Sequence, residues 1–278
     1  MNQFLLSRYD EMVHRLALGI EPIDAQGARR LIYQLQVGYD AELAGLKRPR
    51  IERHNSNRFA LRYQPGVPGT LPQVDLRFFD LSEPFYKPEN DRRRIVPRRL
   101  RIPILRLTDV ETAETIDREE FRRRVRRPVF FPGAAYDFCV TTTGMRGRVM
   151  RNNQPMRWAR VVAVLKGTTL VVGRAHGDDR GEFLLLINAK VTSGSTWPVP
   201  LEVEVSVFGP ATVPTPVPAD LPTRDPLWDL PLETLVAPGV TADAVEAGED
   251  LPTQYTSTVK RDITFTLGKC LYEEFEIT

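Results

Sequence analysis

Apolar and polar residues alternate with a period of two through much of this chain, in runs of strand length separated by turn formers. Arg58 to Tyr63 (RFALRY), Val74 to Phe79 (VDLRFF) and Arg99 to Leu107 (RLRIPILRL) alternate cleanly. Successive side chains of a strand point to opposite faces, so each run predicts one covered and one open face. Pro103 marks an edge or a bulge, because proline cannot donate to a ladder. Asn55-Ser56-Asn57 reads as a turn and Gln64 to Pro72 as a Pro- and Gly-rich loop. Ala28 to Val37 fits strand or helix; the alternation of Leu31, Tyr33, Leu35 and Val37 favours strand. Strands at this spacing predict a first β-sandwich over 20–108. Residues 1–19 read as a short helix that Gly19 ends, or as an arm lying on a partner.

Between Gly144 and Ile187 there are four apolar runs and no helix-length segment. Gly147 to Met150 is followed by the turn Asn152-Asn153, and Ala159 to Leu165 by Lys166-Gly167-Thr168. Leu170 to Arg174 is followed by Gly177 to Gly181, and Phe183 to Ile187 closes the set. Runs this short, β-branched and bounded by Gly, Asn and Asp, predict an antiparallel meander. Ala159, Val161, Ala163 and Leu165 share one face of a strand; Trp158, Arg160, Val162 and Val164 share the other. Gly181 lies where a tight reversal needs a residue tolerant of positive φ, and Phe183 then returns as a core anchor.

This segment resembles a carboxypeptidase regulatory-like domain, a small transthyretin-like β-sandwich. Three stretches carry the likeness: RGRVMRNNQPMRWARV, VVGRAHGDDRGEF and the apolar LLLI. Gly147, Val149, Pro155, Ala159, Val161, Asp179, Gly181 and Phe183 fall on the family pattern. Gly177 and Asp178 stand where the family often has Thr-Asp. The resemblance covers residues 140–209 and implies a non-catalytic folding, spacing or interaction module. It brings no zinc peptidase with it: His14, His54 and His176 have none of the H-x-x-E or H-E-x-x-H spacings that a zinc site needs.

The stretch 109–127 is charge-dense and reads as a helix or linker, with an N-cap at Thr115 or Asp117 and Pro128 as its stop. Val129 to Phe138 (VFFPGAAYDF) is an aromatic lead-in to the second sandwich, placed at 128–210. Residues 209–254 are a long Pro-rich acidic strap that begins GPATVPTPVPADLPTRDPLWDLPL, and the C-terminal unit of strap and strands is placed at 211–278. A loop this long is unusual inside a compact domain, so it is expected to pack on a neighbouring surface with Trp228, Leu230 and Leu235 as anchors. Thr256 to Leu267 and Cys270 to Ile277 finish as strands. The last, CLYEEFEI, is expected to add to a sheet edge, this chain's or another copy's, with Tyr272 and Phe275 at the contact. The fold class is therefore mainly β: two β-sandwich domains and a Pro-rich extended C-terminal segment.

Composition sharpens this. The 23 prolines suit short strands and extended connections, and the 42% hydrophobic and 27% charged fractions are those of a globular protein. No apolar run approaches the roughly 18–20 residues of a membrane span, so no membrane insertion is expected. The first residues, MNQFLLSRYDEMVHRLALG, lack the basic start and apolar block of a signal peptide, which points to the cytoplasm. Two cysteines, Cys139 and Cys270, are too few for a disulfide framework or a zinc site and are expected to pack as small apolar residues in strands.

The net charge of +2 hides an asymmetry. Residues 92–127 are crowded with arginine: Arg93, Arg94, Arg98, Arg122, Arg123 and Arg124 among others. Beyond Pro210 the balance inverts, with Asp225, Asp229, Glu233, Asp243 and Glu246 in the acidic run. A basic middle and an acidic end invite contact within the chain or between neighbouring copies. Arginine suits bidentate carboxylate pairing; genome composition explains the same bias. Nucleic acid is not expected, because the arginines alternate with Ile, Val and Leu as on a solvated sheet face and lack interleaved aromatics for stacking.

Chemistry-bearing motifs are sparse. His176 reads as a surface residue in a turn. Asp178-Asp179 beside Glu182 lacks the ligand pattern of a calcium loop, and no cofactor is expected. The layout as a whole resembles accessory proteins of phage-tail-like contractile injection particles: a first domain ending in RRIVPRRLRIPI, then RRPVFFPGAAYDF, then the regulatory-like sandwich. That module also resembles one appended to cap proteins of such particles. The implied role is a non-catalytic structural subunit, oligomeric, with other subunits of the particle as partners. Its candidate interface residues are Arg93, Arg94, Arg98, Arg122, Arg123, Arg124, Trp228, Leu230, Tyr272 and Phe275. Two other classes stay open. A carbohydrate- or surface-binding module requires Trp158, Trp197 and Trp228 to cluster on the surface. An enzyme requires His176, Asp178 and Asp179 to converge with a distant nucleophile.

Overall fold

The computed structural model describes residues 15–40, 47–81, 87–110, 124–188, 200–236 and 243–278. It is mainly β, and its sheets pair face to face about two separate apolar cores. The expected helix over 109–127, with its caps, falls largely outside the described residues, as does most of the N-terminal segment. Leu16–Ile20, where the segment enters the described chain, is strand β1 rather than helix.

The strands of the first sandwich follow in chain order. After β1 come β2 (Ile23–Asp24), β3 (Arg29–Arg30), β4 (Gln36–Tyr39), β5 (Arg50–His54), β6 (Arg58–Arg62), β7 (Gln73–Phe79), β8 (Arg98–Pro103), β9 (Val125–Arg126) and β10 (Val129–Phe130). One sheet runs β5-β6-β1-β9. Its partner is built on β8-β7-β4, antiparallel throughout. The period-two alternation does what the pattern predicted: Phe59 and Leu61, Leu76 and Phe78, Leu100 and Ile102 all turn inward to one core. Pro103 is the last residue of β8, where a missing donor is least harmful. Ala28–Val37 is two short strand pieces rather than one, broken by irregular chain at 31–35. Val129–Phe130, expected to open the second sandwich, instead pairs in parallel with β2 of the first.

The second sandwich uses β11 (Gly144–Arg151), β12 (Gln154–Pro155), β13 (Arg160–Leu165), β14 (Val171–His176), β15 (Glu182–Leu186) and β16 (Leu201–Gly209). The expected meander is instead dealt between two sheets. β15 lies against β11, while β13 pairs with β14 on one side and β16 on the other. Asn152 and Asn153 both take positive φ, as the tight β11–β12 hairpin requires. Gly181 has φ +73, and a Cβ there would stand 2.5 Å from the Val149 carbonyl oxygen. Phe183 is buried in the core as expected, packed 6.1 Å from Phe275.

The C-terminal strands complete this sandwich. β18 (Ser257–Phe265) pairs along its whole length with β16, and β19 (Cys270–Glu276) pairs in parallel with β11. The two open sheet edges that β16 and β11 would otherwise present are thus filled by this same chain.

Candidate functional site: an acidic clasp across two sandwiches

β16 and β18 are antiparallel neighbours whose ladder runs to Gly209↔Ser257. Residues 210–256 are therefore the loop of one β-hairpin, carried far from its base. This loop contains the short helix α1 (Leu221–Arg224), strand β17 (Leu232–Thr234) and helix α2 (Ala244–Ala247). β17 adds in parallel to β8, completing the sheet β17-β8-β7-β4 of the first sandwich. The strap, expected to pack on a neighbouring surface, packs instead on the two sandwiches of its own chain, and we call it the clasp.

Its acids pair with arginines of both sandwiches at successive points, Arg98 and Arg126 of them from the arginine-rich stretch 92–127. Asp225 takes both oxygens to Arg77 at 2.7 Å. Asp229 forms an ion pair with Arg157 at 2.7 Å and accepts from the Trp158 indole at 2.9 Å. Glu233 lies between Arg98 of the first sandwich and Arg160 of the second: Arg98 donates from Nε (3.2 Å) and Nη2 (2.8 Å), Arg160 from Nη2 (3.2 Å). Asp243 caps α2 through the Val245 and Glu246 N–H groups. Glu246 meets Arg126 at 3.3 Å. Between these points Leu227 and Leu230 join Phe79, Leu81 and Trp158 in a small core of their own, at the seam between the sandwiches. Leu235 reaches into the first core.

The seam is buried and charged. Burial pushes Glu233 up, but the guanidinium groups of Arg98 and Arg160 outweigh it and hold the carboxyl below the usual range. His176 ends β14 with its ring stacked on Phe131 at 3.9 Å. Gly248 closes the same spot: φ +70 ends α2, and a Cβ there would meet the Phe131 ring at 2.3 Å. Burial, then Arg160 and Arg98, keep His176 well below the ordinary histidine range, so the ring is neutral. The sequence placed this residue on the surface; it is buried because α2 and Phe131 cover the end of β14. A second tie crosses the seam where Arg93 reaches Asp179 at 2.7 Å and Asp178 at 3.3 Å. Asp178 also accepts from the Arg180 and Glu182 N–H groups, which shapes the turn rather than holding an ion. No group of three His, Cys, Asp or Glu placed to hold a metal exists among the described residues.

The expected interface residues fall into three groups. Arg98, Leu230 and Phe275 are interior. Arg98 is 0% exposed because its position on β8 shares the inward face with Leu100 and Ile102, and Phe275 packs in the second core. Arg93 and Arg94 are partly buried, Arg93 on the acids of the Asp178 turn and Arg94 side-on to Asp80 at 2.9 and 2.6 Å. Tyr272 is 67% exposed on β19. Trp228 and Arg124 are half-buried, and Arg122 and Arg123 lie outside the described residues. Trp158 is buried in the seam, which removes it from any surface cluster of tryptophans; Trp197 is not among the described residues. Both cysteines are exposed, Cys139 in a loop and Cys270 at the start of β19, and neither packs in a core. Arg160, His176 and Glu233 carry the seam, and sequence reasoning missed them. The signals for the clasp were the Pro-rich acidic run beyond Pro210 and its apolar anchors Leu230 and Leu235.

No protein-family model matches the chain, and no curated protein matches it. Among solved structures, a 9R-lipoxygenase from Cyanothece PCC8801 is 10% identical, over 50% of this chain and 17% of that enzyme, with a TM-score of 0.27. The chain spans less than a fifth of that enzyme, and a likeness at this level bears on neither its activity nor this one's.

Proposed function

We propose that this chain is a non-catalytic structural or assembly subunit of a multi-protein particle, of the contractile tail-like kind that its layout resembles. Its second sandwich acts in this reading as a regulatory-like spacing module. One observation carries the proposal: a long hairpin loop is given over to binding two sandwiches into one body through buried Arg–carboxylate pairs and a shared apolar seam. Long-lived geometry is what a particle component must supply, and a buried ion-pair network that loses stability when either partner is removed fixes relative orientation. Contact with other subunits then falls to the outer surface. The edge strand β19 has β11 as its ladder partner and presents Tyr272 to solvent; strand addition there supplies backbone hydrogen bonds, with the tyrosine as anchor.

Size-exclusion chromatography with light scattering, run on the purified chain and on material pulled down from its native lysate, tests the reading. A defined oligomer, or co-purification with tube, sheath or baseplate proteins, supports it. Tyr272→Arg is expected to abolish that association without lowering the melting temperature, since the side chain is exposed. A monomer that retrieves no particle component refutes it.

A further inference from the structure

A second feature is independent of that reading. Residues 145, 147, 149 and 151 of β11 face inward, and the last of them is Arg151. It is 7% exposed. Its Nη1 donates to the Pro210 carbonyl oxygen at 2.6 Å, but Nε and Nη2 are buried with no hydrogen-bond partner among the described residues. Those two atoms form one edge of the guanidinium, with parallel N–H bonds.

Elsewhere in this chain the same edge grips a carboxylate side-on. Arg94 holds Asp80 that way at 2.9 and 2.6 Å, Arg101 holds Asp75 at 2.8 and 2.8 Å, and Arg98 holds Glu233 at 3.2 and 2.8 Å. Leaving such an edge buried without an acceptor is unfavourable, more so than for a neutral donor.

Arg151 lines a cavity of about 120 Å³ beside the root of the clasp. Its walls are mostly apolar and aromatic, with Met156, Trp158, Pro231 and Tyr255 among them, and carry two neutral polar side chains, Gln154 and Gln254. Three lining residues carry charge, Arg151, Arg157 and Asp229. Arg157 and Asp229 neutralise one another at 2.7 Å, which leaves Arg151 as the unbalanced charge. Tyr255 stays neutral, its hydroxyl pushed up to about 12 by burial and donated to the Trp158 carbonyl oxygen. A Cβ built on Gly209 would stand 2.6 Å from the Met156 sulfur and 3.8 Å from Arg151 Nη2, so both side chains crowd the same glycine. Methionine is the side chain best able to swing aside, having three soft torsions and no branching.

We propose that this cavity binds a monocarboxylate carried on a compact apolar body. The carboxylate sits side-on against Arg151 Nε and Nη2 after Met156 yields, and the apolar body rests between Trp158, Tyr255 and the prolines. A planar two-oxygen acceptor matches the two parallel donors of that edge, and a single net positive charge suits a monoanion.

Titration of the arginine Nε–H resonances of the ¹⁵N-labelled chain, at constant ionic strength, tests this. Butyrate and benzoate are compared with butyramide and benzamide. The expected result is one resonance, missing from the Arg151→Gln spectrum, that moves and saturates with the acids and stays still with the amides. Arg151→Gln is expected to weaken binding roughly tenfold to a hundredfold, the range for a hydrogen bond to a charged group. Met156→Ala is expected to tighten it. If Arg151→Gln does not fold, the acid–amide comparison on the unaltered chain decides alone. An Arg151 resonance that ignores the acids, or follows the amides equally, overturns the proposal. A further arm uses acetylated dipeptides with free or amidated ends. Preference for the free-ended peptide over butyrate assigns the carboxylate to a chain terminus; the reverse assigns it to a small acid.

Discussion

Glu233 shows how one side chain can hold two domains in register. It occupies the middle of β17 opposite Leu100, on the face that turns toward the interior, and accepts from arginines of both sandwiches. Glu233→Gln keeps the volume but leaves Arg98 and Arg160 without a counter-charge. The expected loss is about 3–5 kcal/mol of unfolding free energy, read as a lower urea midpoint with little change in slope. His176 adds a pH response. Its protonation is disfavoured in the folded chain and free in the unfolded one, so the unfolded state binds the extra proton as pH falls below the ordinary histidine value near 6.5. Stability is then full above that value and falls on acidification by about 1.4 kcal/mol per pH unit. The loss continues until the depressed folded-state value is reached. Urea unfolding between pH 7.5 and 5, above the range where most carboxylates titrate, isolates this slope; His176→Gln is expected to flatten it, and an unchanged slope in that variant removes the histidine from the account.

At the scale of elements, the clasp is a hairpin loop that can be shortened without touching its base. Joining Gly209 to Ser257 through Asn-Gly keeps the β16–β18 register and supplies the turn that a tight hairpin prefers. The second sandwich of that variant is expected to fold, while the first loses β17 and the seam loses its acids. Calorimetry should show two transitions in place of one, and small-angle scattering a broader particle. A single transition with an unaltered scattering profile would show that the clasp does not couple the domains. Much of this architecture was written in local pattern. The inward faces of β6, β7, β8 and β13 and the reversal at Gly181 follow from period two and from φ alone. The charge asymmetry was visible too, but of the clasp's partners Arg98 and Arg126 come from the basic stretch 92–127 while Arg77, Arg157 and Arg160 do not. Pairing partners were not visible, because periodicity says which face is apolar and nothing about which distant strand fills an edge. Arg98 and Arg151 were misread or overlooked for the same reason: an arginine on the inward register looks like a break in the pattern until the acid or the cavity beside it is seen.

For the molecule as a whole, each sandwich is finished by residues from beyond the other. The first takes its edge strand β17 from the clasp, and the second takes β18 and β19 from the chain that follows it. This interleaving shapes how the protein is made. β8 emerges from the ribosome well before β17, and at typical elongation rates of about 5–20 residues per second the interval between Pro103 and Leu232 lasts on the order of ten seconds. Throughout that time β8 is a bare edge, able to recruit any extended segment nearby. Its sequence meets the hazard: Arg98, Arg99 and Arg101 ring that edge with charge, the standard protection against stray pairing. Arg99 and Arg101 meet Asp40 and Asp75, which are made before them, and Arg98 alone of the three waits for Glu233 of the clasp. The arginine that locks the finished body, Arg98, is thus one of those that keep the nascent chain waiting safely for its last strand.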